Sequence, residues 1–76
     1  MSSNAVRFTL YALDQFGTGK PGPTLTSITR AEHAAIIWAR REAEKPGSAV
    51  ERIVVVDGDG TTVASVLVTA LAEVAA

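Results

Sequence analysis

Three stretches of this sequence carry residues of the types that do chemistry. The first is Gly17-Thr18-Gly19-Lys20-Pro21-Gly22-Pro23, which has the glycines and lysine of a phosphate-binding loop. A phosphate loop needs a glycine five residues before its Gly-Lys pair and a Ser or Thr after it. Asp14 and Pro21 hold those places, and Pro21 also removes a backbone donor from the cradle. The second is Asp57-Gly58-Asp59-Gly60, where closely spaced carboxylates suggest calcium. The twelfth position counted from Asp57 is Val68, where a calcium loop needs a bidentate Glu. Asp-Gly between apolar runs reads instead as a hairpin turn. The third is the stretch with His33, Arg30, Arg40, Arg41 and Lys45. His33 has no evident base or orienting partner, as acid–base catalysis would require. The cations are interrupted by Glu42 and Glu44, which weakens a phosphate-contacting face. No catalytic, cofactor-binding or metal-binding set emerges, and the expectation is a protein that is not an enzyme and needs no cofactor.

The elements that position these residues follow from periodicity. Ala5 to Leu13 alternates, with Val6, Phe8, Leu10 and Ala12 on one face and Arg7, Thr9, Tyr11 and Leu13 on the other. That is a half-buried strand. Asp14 to Ser27 is rich in Gly and Pro and reads as a loop. Thr29 followed by Glu32 suggests a capping box, and Pro46-Gly47 a stop, so a helix is expected from about Arg30 to Lys45. Ala49 to Asp57 and Thr61 to about Thr69 read as a hairpin. The tail from Ala70 reads as a ragged end.

The resulting expectation is an α+β fold of order β-α-β-β in one domain, residues 1–76. One helix packs on one face of a three-stranded antiparallel sheet of spatial order 1-3-2. The third strand takes the middle because both its faces are apolar, and the first and second strands run the same way. The other sheet face, with Tyr11 and Leu13, is left without cover, and the outer strands present free edges.

Composition narrows the class. The chain has 76 residues, no cysteine and a formal net charge of -1. A domain of this size is marginal without a disulfide, metal or partner, and cysteine chemistry is excluded. A nucleic-acid binder would need a local basic patch, since no global excess exists. The amino terminus lacks a secretory pattern, and no apolar run is long enough to span a bilayer; a cytoplasmic protein without membrane contact is expected.

The helix poses the most informative question. Ile36, Ile37 and Trp38 are consecutive and fan over about 200° at 3.6 residues per turn. Ala31, Ala35 and Ala39 form a small-residue stripe suited to close approach to the sheet. Ala34 and Trp38 border it on one side, Ile36 and Ala43 on the other. Ile37 falls among Arg30, His33, Arg40, Arg41 and Glu44. Isolated exposed hydrophobes are common on surfaces. An apolar centre ringed by Arg beside a Trp also has the composition of an interaction hot spot. Ile37, Trp38, His33, Arg40, Arg41 and Tyr11 are therefore the candidate interaction residues.

The lone strand, loop, helix opened by Thr-Ser-Ile-Thr-Arg-Ala-Glu-His (26–33) and hairpin Val50–Val66 resemble, in element order, small phage-encoded anti-CRISPR proteins. The resemblance implies a non-enzymatic inhibitor that binds a Cas subunit or complex, as a compact monomer or homodimer. Without an acidic excess it would work by blocking a surface and not by DNA mimicry. The alternative is a small nucleic-acid-associated or regulatory domain that uses the helix arginines.

Overall fold

A computed structural model describes residues 6–68. The chain runs β1 (Phe8–Leu13), β2 (Gly19–Leu25), α1 (Ile28–Glu44), β3 (Arg52–Val56) and β4 (Thr62–Leu67). The α+β class holds, with one helix, α1, among the described elements. The described sheet, however, has four strands in the order β2-β1-β3-β4, with every neighbouring pair antiparallel.

Two expectations are corrected here. The segment read as a loop contains β2, which pairs with β1 over Phe8↔Leu25 to Leu13↔Gly19. Proline is tolerated in a strand at a sheet edge, where no second neighbour asks for its N–H. Gly22 and Pro23 together face Leu10, a bulge marked by the register shift between Thr9 and Tyr11. The order 1-3-2 also fails. β2 reverses the chain before the helix, so β3 returns antiparallel to β1 and pairs directly with it, Leu10 opposite Val55 and Ala12 opposite Ile53. The last strand lies at the edge. Ile53, Val54 and Val55 are all buried, whereas β4 carries Thr62, Ala64 and Ser65 and is mostly exposed. The sheet centres on the strand with more to bury.

The helix begins two residues earlier than the Thr29 capping box implies. Ser27 is the N-cap, extended at φ -124 and ψ 131, and its hydroxyl accepts from the Arg30 N–H at 3.4 Å. The stop is as expected. A residue before proline is pushed out of the helical region, and Lys45 sits at φ -83 and ψ 121.

The core lies between α1 and one sheet face. Ala31, Ala35 and Ala39 are wholly buried against Leu10, Ile53 and Val55. Small residues on the helix admit large ones from the sheet. Among the described residues nothing covers the opposite face, which carries Tyr11, Val54 and Leu67. No helix among them is long and apolar enough to cross a membrane. The ragged end expected from Ala70, like Thr69 at the end of the last strand, lies outside the described residues.

The two hairpin turns share one design. Asp14-Gln15-Phe16-Gly17-Thr18 and Asp57-Gly58-Asp59-Gly60-Thr61 both read Asp-x-x-Gly-Thr. In each, one Asp carboxylate oxygen accepts two backbone N–H groups: Phe16 at 2.9 Å and Thr18 at 3.0 Å, and Asp59 at 2.9 Å and Thr61 at 3.0 Å. Gly17 and Gly60 take φ of +79 and +86, which side-chain-bearing residues rarely adopt. Asp57 thus shapes a turn, as the hairpin reading of Asp-Gly-Asp-Gly expects.

Candidate interaction site

The candidate residues fall in two places and partly separate. Helical geometry puts Ile37 and Arg41 on the side of α1 toward β2 and puts His33 and Arg40 on the outward side. Ile37, Trp38 and Arg41 meet Pro21, Gly22 and Pro23 of β2 around a groove of about 360 Å³. The edge strand missing from the sequence reading therefore supplies one wall of the site. Tyr11 does not join them. It alternates with the buried Leu10 and Ala12, so it points to the uncovered sheet face, opposite Val54 and Pro21.

Exposure refines the fan of three large residues. Ile37 is 39% exposed, as expected, but Ile36 is equally so at 37%. Ile36 borders the alanine stripe on the side of α1 away from the β2 groove. Trp38 is half-buried.

Trp38 is held by two contacts that the sequence reading did not identify. A Cβ at Gly22 would overlap the indole ring, so only glycine lets β2 pass so close to it. The indole Nε1–H donates to Glu42 Oε2 at 3.2 Å. Glu42 is the one charged residue in the described core, 8% exposed. Its other oxygen accepts from Ser48 Oγ–H at 2.6 Å, and Lys45 Nζ donates to Oε2 at 3.2 Å. A carboxylate with three donors is satisfied, as burial requires. The Ser48 hydrogen bond, followed by Lys45 and Trp38, holds the Glu42 carboxyl below its usual range despite the opposing effect of burial. Lys45 is largely exposed, so its ion pair adds little. Glu42 sits one turn after Trp38, the i,i+4 spacing at which helix neighbours meet; that spacing was the available signal.

This network also lines a second depression of about 590 Å³, between the end of α1, the α1–β3 connection and the start of β2. Its carboxylate is fully engaged in tying the helix end to Ser48. The arrangement is a positioning device: it fixes the rotamer of a Trp at the rim of an apolar groove. No three His, Cys, Asp or Glu side chains gather as a metal site among the described residues. No family model, no curated protein and no solved structure matches the chain.

Proposed function

We propose that this protein is a non-catalytic binding module that docks a protein partner on the groove between α1 and β2. The observation that carries the reading is the groove itself. It has an apolar floor and rim from Pro21, Pro23, Ile37 and Trp38, with Arg41 at its edge. Rigid aromatic anchors with Arg beside an apolar pocket are the composition of binding hot spots. Trp38 is pre-positioned by Gly22 and Glu42, so little side-chain freedom is lost on binding. A partner segment with one apolar side chain for the groove and a carboxylate for Arg41 fits this chemistry.

The more specific form of the reading is a surface-blocking inhibitor of a bacterial CRISPR–Cas complex, and its support is the resemblance in element order alone. The test is phage plating on a CRISPR-active host that expresses the protein, paired with co-purification on the Cas effector complex. Restored plating and stoichiometric capture, both lost in Ile37→Glu, are expected. Plating that stays restricted, with no Cas component bound, removes the inhibitor reading.

A further inference from the structure

We propose that the free edge of β4 is an interface between two copies of this chain, paired antiparallel about a two-fold axis at Ser65 and continuing the sheet to eight strands. Among the described residues nothing pairs with the outer side of β4. The strand is Thr-Val-Ala-Ser-Val-Leu, without a charge, a proline or a glycine, and its one bulge, at Val63, lies at the turn end and leaves Ala64 to Leu67 in regular register. Natural sheets protect such edges with those residues, and an unprotected apolar edge is a template for another strand.

Backbone direction specifies how a second copy would pair. The Val68 N–H donates to the Glu51 carbonyl at 2.9 Å, on the β3 side. Alternation then sends the Val66 and Ala64 groups toward β3 and leaves the N–H and C=O of Ser65 and Leu67 pointing outward. Placing Ser65 opposite its own copy lets the two residues exchange both hydrogen bonds. The same register brings the side chain of Val63, the bulged residue at the end of the regular stretch, beside Leu67 on the uncovered face. These are the two exposed large side chains of β4, at 42% and 47%, each two residues from Ser65. Each would bury the other, twice over.

Charge favours a second copy, and the available area makes the association weak. No formal charge lies on the strand, so pairing it with itself brings no like charges together, and neighbouring Arg52 is already paired with Glu51 at 3.0 Å. Ile36, 37% exposed, lies on the side of α1 away from the β2 groove. Six residues give an edge of roughly 20 Å. That makes a small interface, near the low end of specific ones at about 1,200 Å² in total. The expected dimer therefore forms reversibly at micromolar concentration.

The chain has no cysteine, so Ser65→Cys introduces a single thiol. A hydrogen-bonded antiparallel pair holds its Cα atoms about 5.5 Å apart, within disulfide range. Expected is at least tenfold faster oxidation to the disulfide dimer for Ser65→Cys than for Phe16→Cys, whose thiol would sit on the exposed β1–β2 turn. Adding Leu67→Lys should abolish the advantage. Sedimentation of the unmodified protein should show a concentration-dependent dimer, with the Ser65 amide slowing in hydrogen exchange as it forms. Equal oxidation rates in folded variants overturn the proposal. So does a protein that stays monomeric through the millimolar range, whether the Ser65 amide exchanges freely or is protected by other residues of its own chain.

Discussion

The two edges of the sheet are built to opposite standards. β2 has Lys20, two prolines, two glycines and a bulge in its seven residues. β4 has six uncharged residues, none of them Gly or Pro, and one bulge, at Val63 next to its turn. Both edges carry a bulge, so what sets β2 apart is that Pro21 and Pro23 lack the N–H donors a further strand would need. Its side chains instead form one wall of the groove against α1. On the two proposals above, recognition at β2 would run through side chains and at β4 through main-chain hydrogen bonds. Both regions leave apolar side chains exposed on a domain too small to bury all of them.

The largest effect should come from exchanging these standards. Pro21→Val together with Pro23→Val gives β2 a full set of donors and β-branched side chains. We expect light scattering to rise with concentration as a second adhesive edge permits open-ended assembly. Leu67→Lys at the other edge should shift sedimentation toward monomer with unchanged circular dichroism. If the double valine variant associates no more than the original, the prolines do not protect this edge.

Next in size is the contact where β2 meets the helix. Gly22→Val forces the strand away from the Trp38 ring, and overpacking of this kind costs about 1–3 kcal/mol. Chemical denaturation should read that loss, and Trp38 fluorescence should shift to the red as the indole gains water. The chain has one tryptophan, so the signal is unambiguous.

How much of this was legible in the sequence depends on which residues one follows. The alanine stripe and the outward Ile37 were legible, because a 3.6-residue period fixes faces regardless of tertiary context. β2 was hidden because Pro and Gly carry opposite meanings at an edge strand and in a loop. Its visible sign was the repeated Asp-x-x-Gly-Thr: the second copy was recognised as a hairpin turn through Asp-Gly, and the first, with Gln15-Phe16, was not. With β2 overlooked, the direction of every later strand was inverted relative to β1, and the wrong strand took the centre. Trp38 and Ile37 were visible as surface candidates, but the groove was not, since one of its walls is β2. Tyr11 was legible by alternation as a residue of the uncovered sheet face, and it lies there, away from the groove.

Glu42 gives a sharper contrast between the groove side and the β4 edge, because it ties only the former. Its folded pKa lies below the reference value of 4.5. The sign follows directly: a carboxyl lowered on folding contributes stability above its unfolded pKa and loses it as pH falls through the folded value. The original protein should therefore lose stability from about pH 5 downward, and Glu42→Gln should be flatter over that range. At pH 7 the variant gives up charge-assisted hydrogen bonds from Ser48 and Trp38, a loss of about 1.5–3 kcal/mol. Dimerisation through β4 should be untouched when both proteins are compared well below their melting temperatures. A coupled loss of dimer would mean that the two surfaces are not independent.

The smallest stability effect belongs to the residue with the largest expected effect on partner binding. Ile37 is 39% exposed on the groove rim and lies outside the buried cluster. Ile37→Glu removes only partial burial, and substitutions away from the core usually stay within about 0.5 kcal/mol. The new carboxylate lies one turn from Arg41 and can pair with it, which offsets part of the loss. The same pairing occupies the cation proposed to meet a partner's carboxylate and places a charge at the mouth of an apolar groove. Melting should be nearly unchanged while capture of the partner falls by at least tenfold. Leu67→Lys supplies the matched control, because it disturbs the β4 edge and leaves the groove intact. If Leu67→Lys abolishes capture and Ile37→Glu does not, the partner docks on β4, and the exposed Ile37 is surface without a role in binding.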